Sequence, residues 1–127
     1  MRYLCLVCSE EERLTVMPKS ELDGLIAEHL AYDDTLRQSG HFLIAAALQS
    51  VHTATTVRVR NGKTSLTDGP FAETKEQVGG FYLIESRDLN EALQIAAKIP
   101  SARHGCIEVR PVWEIVPPTV GGVAPAA

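Results

Sequence analysis

The chain has 127 residues, a net charge of −4 and an apolar content of 45%, which predicts one globular domain with a substantial core. Its mildly acidic balance gives no electrostatic reason to expect nucleic acid or an anionic membrane surface as a partner. No apolar run reaches the length of a membrane span, and residues 10–12 are acidic where a signal peptide would continue. The sequence therefore predicts a cytoplasmic protein with no membrane partner.

Three cysteines, Cys5, Cys8 and Cys106, are too few to indicate a disulfide framework. Cys5 and Cys8 have the spacing of a redox or zinc motif. They fall, however, in the run MRYLCLVC, which predicts a strand, and residues three apart in a strand point to opposite faces. The interpretation is therefore that these are buried, reduced, structural thiols.

This first strand is apolar on both faces, as expected of a strand that is covered on each side. One face would meet the helices of the same chain. The other face needs a second sheet, which a small chain with two predicted helices does not have. The sequence therefore predicts a two-fold homodimer that packs sheet against sheet.

A helix is predicted from about Glu21 to Gln38, after a charged segment, residues 9–19, that is predicted to be a loop. Its apolar residues recur at helical spacing: Leu22, Leu25, Ile26, Leu30 and Leu36. Ser20 is the predicted N-cap and Gly40 the predicted stop.

His29 and Asp33 lie at the centre of the apolar face of this helix, at about 100° per residue, and not on its polar edge. They are four residues apart, so their side chains can touch. A polar pair on a buried face costs free energy unless it is satisfied, which makes the pair a candidate for acid–base chemistry near neutral pH. The alternative is a core histidine bonded to a carboxylate that holds the helix in register.

Other catalytic signals are weak. The four histidines show no zinc spacing, so no metal is predicted, although His29 and Asp33 with a third ligand stay open as an alternative. Ser9 and Ser101 have no nucleophile context. Gly79-Gly80 alone does not indicate a phosphate-binding loop. No cofactor is predicted.

Two strands are predicted next, at residues 41–49 and 54–60. The three alanines at 45–47 indicate either close approach of another element or room for a ligand. Asn61-Gly62 is a strong signal for a type I′ hairpin turn, so residues 63–67 should return as the partner strand.

The segment after the hairpin is dense in turn-forming residues. Asp68 can bond its own backbone, and Pro70 restricts Gly69. Thr74 and Gln77 have the spacing of a capping box, so a short helical turn is predicted, ended by the glycines at 79 and 80. Residues 80–85 are predicted as a core strand.

The chain is predicted to end with a helix, a strand and a tail. Asp88 and Glu91 form a second capping box, which opens a helix over residues 89–99 that Pro100 ends. Its predicted inner residues are Leu89, Ala92, Leu93 and Ala96. Residues 106–116 form a last extended run, in which Pro111 favours an edge strand. Residues 117–127 are predicted to be a flexible tail after a single domain, residues 1–116.

The predicted order is β-α-β-β-β-β-α-β. Removing the inserted hairpin leaves βαββαβ, the ferredoxin-like α+β unit. Three segments, TDGPFAETKEQVGGFYLIE at 67–85, ATTVRVRNGK at 54–63 and IPSARHGCIEVRPV at 99–112, resemble the DGPF group of the YCII-related family of small bacterial proteins. The resemblance implies a ferredoxin-like chain that pairs into a dimeric α+β barrel.

The resemblance also implies a site. In the wider family a helix histidine and an aspartate look like the proposed active-site pair, and the matching positions here are His29 and Asp68. Together with the residue patterns this gives His29, Asp33 and Asp68 as candidate catalytic residues. The candidate ligand-binding residues are Tyr32, Phe71, Lys75, Glu76 and Tyr82.

Two functions are compatible with such a site. One is a small enzyme that carries out acid–base chemistry on a small, largely apolar organic substrate in a helix–sheet cleft. The other is a ligand-binding or regulatory module without catalysis, since members of the DGPF group are sometimes associated with alternative sigma factors.

Overall fold

The structure is a computed structural model that describes residues 1–117. Its strands are β1 (Arg2–Ser9), β2 (Phe42–Ala47), β3 (Thr55–Arg60), β4 (Lys63–Asp68), β5 (Gln77–Glu85) and β6 (Gly105–Pro111). Its helices are α1 (Glu11–Thr15), α2 (Lys19–Gln38) and α3 (Leu89–Ala97), with short 3-10 turns at Val51–Thr53 and Pro100–Arg103. Most of the predicted tail lies outside the described residues.

Four strands form an antiparallel sheet in the order β2-β5-β1-β6. With α2 and α3 as the two crossovers, this is the ferredoxin-like α+β topology, so the predicted fold is confirmed. Within residues 1–117, β3 and β4 pair only with each other, as the predicted inserted hairpin. Asn61 and Gly62 both have positive φ, 52° and 74°, as a type I′ turn requires.

One face of the sheet carries the core. Alternate residues of the central strands are buried beneath the helices: Tyr3, Cys5, Val7, Tyr82 and Ile84. From the helices come Leu36, Ala92, Ile95 and Ala96, with Ile99 just beyond α3. Of the four predicted inner residues of α3, Ala92 and Ala96 are buried, but the prediction is wrong for Leu89 and Leu93, which are each 48% exposed.

The ends of the helices follow their backbone chemistry. α2 begins at Lys19, directly after Pro18, so the predicted Ser20 cap is wrong. At its other end Gly40 has a φ of 81°, and the His41 amide donates to the Leu36 carbonyl while the Gly40 amide donates to the Arg37 carbonyl. This is a Schellman motif, which confirms Gly40 as the stop. The Asp88 cap on the Glu91 amide is also confirmed.

Two local predictions are wrong. Residues 11–15 form the short helix α1, where a loop was predicted; Glu11 is fixed there because its carboxylate accepts from the Ser50 hydroxyl and the Val51 amide. The predicted helical turn at Thr74 does not form. Its hydroxyl donates to the Glu76 carbonyl instead. Gln77 is already the first residue of β5, because pairing with β1 satisfies more backbone hydrogen-bonding groups than an isolated helical turn would.

The opposite face of the sheet, here called the open face, has no covering element among residues 1–117. Its residues are identified by strand register: Leu4 lies opposite Leu83, Leu6 opposite Phe81, and Ile44 opposite Leu83. Directly opposed residues project from the same face. The open face is therefore an apolar surface across three neighbouring strands.

Cys5 and Cys8 lie on opposite faces of the sheet, as predicted, but only Cys5 is a buried thiol. Cys5 is buried on the helix face, where burial raises the pKa of its thiol to about 11. Cys8 lies half-buried on the open face opposite the exposed Cys106, so the prediction of a buried thiol is wrong for Cys8. All three are free thiols. Cys5 therefore stays protonated at neutral pH, which makes it a poor nucleophile or metal ligand.

No helix within the described range is long and apolar enough to cross a membrane.

Candidate functional site

A cleft of about 450 Å³ lies between α2 and the β2–β5 side of the sheet. Aliphatic side chains form its walls: Leu14, Leu22, Leu25, Ile26, Leu30 and Leu48. Five residues with polar side chains also line it: Ser9, His29, Asp33, Tyr82 and Ser101. An apolar cavity of this size with a few convergent polar groups is typical of small-molecule sites.

Small residues create the cleft. Ala45 and Ala47 on β2 and Gly79 and Gly80 on β5 all line it. Gly80 is required by packing, because a Cβ there would lie 2.8 Å from the Ala46 carbonyl oxygen. Larger side chains on these two strands would fill the space below α2. The alanine run in the sequence therefore marks a ligand-sized space, which is one of the two alternatives it left open.

His29 projects from α2 into the cleft, as its place on the apolar face predicted. Its Nδ1 is 2.9 Å from the Tyr82 hydroxyl, and its Nε2 is 2.7 Å from Ser101 Oγ. The imidazole and phenol rings are stacked, with centroids 6.1 Å apart and planes at 25°. Two hydrogen bonds and one ring contact thus hold the imidazole in a single orientation.

Asp33 acts on the same network through Tyr82. Burial of the hydroxyl, and then hydrogen bonding to the Asp33 carboxylate and the charge of that carboxylate, raise the pKa of Tyr82 well above its usual range. Asp33 Oδ1 is buried and has no hydrogen-bond partner within residues 1–117. A buried acceptor without a partner costs free energy, so this oxygen is held there by the fold at the expense of stability.

Each hydroxyl can donate or accept, so the roles of the two His29 nitrogens depend on the tautomer. In one tautomer His29 Nδ1–H donates to the Tyr82 oxygen, and the Nε2 lone pair accepts from the Ser101 hydroxyl. In the other, the Tyr82 hydroxyl donates to Nδ1, and Nε2–H donates to Ser101 Oγ. The negative charge of Asp33 beside the Tyr82 hydroxyl favours the first tautomer, which presents a basic nitrogen towards Ser101.

The pKa of His29 is lowered from its usual value near 6.5, chiefly because burial disfavours the charged ring. Arg103 lowers the same pKa, while Asp33 and Glu28 raise it without cancelling the effect of burial. At neutral pH the imidazole is therefore largely uncharged, which is the state that a general base requires.

Ser101 lies in the 3-10 turn after α3, and that turn is fixed against α2. Arg103 in the turn donates to both carboxylate oxygens of Glu28, at 2.9 and 3.1 Å. Glu28 immediately precedes His29, so one ion pair holds the serine and histidine segments together. No local pattern indicated this role for Ser101, since the residue is 72 positions from His29.

The other predicted site residues lie elsewhere. Asp68 and Lys75 line a separate depression of about 640 Å³, beside the glutamates at 10–12. Asp68 pairs with Thr55 at the base of the β3–β4 hairpin, which is a sheet of its own. The expected convergence of His29 and Asp68 is therefore not found within the chain, because the hairpin, and not the main sheet, carries Asp68.

Three further residues proposed as ligand contacts line neither cavity. Phe71 is 82% exposed, and Glu76 is exposed as well. Tyr32 donates to the Ile95 carbonyl at 2.7 Å and so ties α2 to α3, and burial raises its pKa to about 12. Of the aromatic candidates, Tyr82 alone lines the cleft.

Acidification should destabilise the protein through His29. Its pKa is lower in the folded than in the unfolded chain, so the unfolded state binds more protons as the pH falls below about 6.5. The stability that neutral His29 contributes is present above that pH and is lost as the pH falls through the folded pKa. We expect urea unfolding at a series of pH values to show this loss, and a shallower loss in His29→Gln.

The exposed His52 offers a matched control for this measurement. His52→Gln should leave the pH profile of the wild-type protein in place. A His29→Gln profile that is parallel to the wild type across this range would contradict the assignment of a lowered pKa to His29.

Fold and site together define an α+β protein of ferredoxin-like topology, with an apolar cleft that contains a serine–histidine–tyrosine–aspartate network. The YCII-related domain matches residues 1–116, and the chain belongs to the YCII-related family. The predicted family is thus confirmed. The chain is also 36% identical over 114 residues to an uncharacterized protein of Rhizobium meliloti (strain 1021), an alignment that covers 88% of this chain and 92% of that protein.

Proposed function

We propose that the cleft binds a small, largely apolar organic molecule and that His29 exchanges a proton with it. The observation that carries this proposal is the oriented network at the cleft, in which both His29 nitrogens have assigned partners. A histidine on the solvated surface would not need protein hydrogen-bond partners at both ring nitrogens. The aliphatic walls favour an apolar substrate, because burying apolar surface contributes about 25 cal/mol per Å².

The proton path uses the tautomer in which His29 Nε2 accepts from the Ser101 hydroxyl. A substrate X–H placed in the cleft donates its proton to Ser101 Oγ as the serine proton passes to His29 Nε2. The imidazolium that forms is stabilised by Tyr82 and, through it, by the Asp33 carboxylate. Reversal of the same two transfers returns a proton to the substrate, so the cycle balances without another reagent. The reaction class is proton abstraction and return.

A binding module without catalysis is the second candidate, including a regulatory role linked to sigma-factor-dependent transcription. One observation favours it: protein partners already occupy both ring nitrogens of His29. In that case the network would only shape the cleft. His29→Gln separates the two functions, because it should remove turnover in an enzyme and retain ligand binding in a binding module.

The proposed cleft is tested by filling it. A screen of small organic molecules by thermal shift should find compounds that raise the melting temperature of the wild-type protein. Ala47→Leu places a larger side chain in the cleft and should abolish those shifts. Ala31→Leu, an exposed change on α2, should retain them. Equal shifts in both variants would place binding elsewhere and overturn the proposal.

We also propose that the protein is a homodimer. Its support is the open face, where apolar residues of β1, β2 and β5 form one surface with no covering element in the described chain. Monomers rarely expose a contiguous apolar patch of this kind. A second copy offers the same surface under two-fold symmetry, sheet against sheet.

A further inference from the structure

The buried oxygen of Asp33 carries information about the ligand. Asp33 Oδ1 is buried, lacks a hydrogen-bond partner within residues 1–117, and belongs to a residue that lines the cleft. Folded proteins satisfy almost all buried polar atoms, since each unsatisfied one costs free energy. The carboxylate is therefore complementary to a group that reaches it from the cleft.

That group must be a hydrogen-bond donor, because an ionised carboxylate oxygen only accepts. The two basic side chains discussed above, His29 and Arg103, do not neutralise the negative charge of the Asp33 carboxylate. His29 is largely uncharged at neutral pH, since burial lowers its pKa, and Arg103 is bound by Glu28. An anionic ligand end would add a second negative charge in a partly buried cleft, which is strongly unfavourable.

We propose, on the basis of the function proposed above, that the ligand is a compact apolar molecule that donates an O–H or N–H group to Asp33 Oδ1. Its apolar body lies against the aliphatic walls on α2, such as Leu22 and Ile26. A molecule of the same shape that lacks the donor leaves the Asp33 oxygen unsatisfied and is therefore excluded. A molecule that ends in a carboxylate is excluded because the Asp33 carboxylate repels it.

The size of the cleft limits the body of the molecule. Ligand pockets span about 300–1,000 Å³, so a cleft of about 450 Å³ is near the small end of that range. A molecule with one substituted ring fits such a space. Four probes of nearly the same shape therefore suit a test: para-ethylphenol, para-ethylbenzylamine, para-ethylanisole and para-ethylbenzoate.

The test is a titration of each probe into the full-length protein, followed by NMR or calorimetry at neutral pH. The phenol and the amine should each bind at least about tenfold more tightly than the anisole, because a hydrogen bond to a charged group is stronger than one between neutral groups. The benzoate should bind most weakly. Whichever of the phenol and the amine binds more tightly identifies a hydroxyl or an ammonium donor.

Asp33→Leu removes the carboxylate and retains a branched side chain of similar shape. It should reduce the advantage of the donor probes to less than about threefold while the anisole still binds. The control is Asp34→Leu at the next position, which is exposed and paired with Arg37; it should retain the wild-type order. Asp33→Asn is closer still in shape to the wild-type side chain, and it should lose the preference for the amine. This second variant is used in place of Asp33→Leu if Asp33→Leu does not fold.

The outcomes separate the two proposals. Equal binding of phenol, amine and anisole to the wild-type protein would overturn the donor inference and leave the cleft as a binding site. Tightest binding of the benzoate would overturn it in the same way. Failure of all four probes to bind would count against the cleft as a ligand site and so against both proposals.

Discussion

Gly105→Ala should destabilise the protein by about 3 kcal/mol or more, at the upper end of the cost of overpacking. Gly105 begins β6 and lies opposite Ser9 of β1. A Cβ at this position would lie 2.0 Å from the Cys8 carbonyl oxygen and 2.9 Å from Ser9 Cα. Both are backbone atoms of a central strand, so relief requires β6 to separate from β1. Urea unfolding of the purified variant measures the loss.

Alanine substitutions at two other glycines should cost less stability than Gly105→Ala and serve as comparisons. A Cβ at Gly79 would meet no atom within 4 Å, so Gly79→Ala should change stability by less than about 0.5 kcal/mol. Gly80→Ala, with its 2.8 Å contact to the Ala46 oxygen, should fall between the two. Wild-type stability in Gly105→Ala would show that β6 does not pair with β1 in this register.

The fold was predictable because its strongest signals are local. Gly40, Asn61-Gly62 and Asp88 each mark an element boundary by backbone chemistry that acts within a few residues, and all three were confirmed. The pattern of strands and helices between such boundaries was enough for the βαββαβ order. Sheet order then follows from a small set of allowed topologies.

The local errors arose where tertiary pairing competes with a local signal. Thr74 and Gln77 have the spacing of a capping box, yet Gln77 pairs with Ser9 as the first residue of β5. A long strand gains hydrogen bonds and packing that an isolated helical turn cannot offer. Likewise α1 depends on Glu11 and its contact with Ser50, a partner 39 residues away.

The site was predictable only in part, for the same reason. Helical periodicity placed His29 and Asp33 on the buried face of α2, and both line the cleft. Ser101 could not be found, because its relation to His29 depends on a 3-10 turn and on an ion pair between Arg103 and Glu28. Asp68 was placed by family resemblance, which carries no information on the distance to α2.

Leu83→Glu should convert the proposed homodimer into a folded monomer. Leu83 lies on the inner strand β5 with Leu4 and Ile44 opposite it, at the centre of the open face. Two-fold symmetry places the substitution on both sides of the interface. Losing two buried leucines, at about 1.5–3 kcal/mol each, should raise the dissociation constant at least about a hundredfold, before any cost of burying the carboxylates.

The matched control is Leu93→Glu, the same substitution at a leucine that is 48% exposed on the outer side of α3. It should leave the dimer intact, because that surface does not belong to the open face. Light scattering at micromolar concentration distinguishes the two variants, and circular dichroism confirms that each is folded. A monomeric wild-type protein, or a Leu83→Glu variant that stays dimeric, would show that the open face is not the contact between copies.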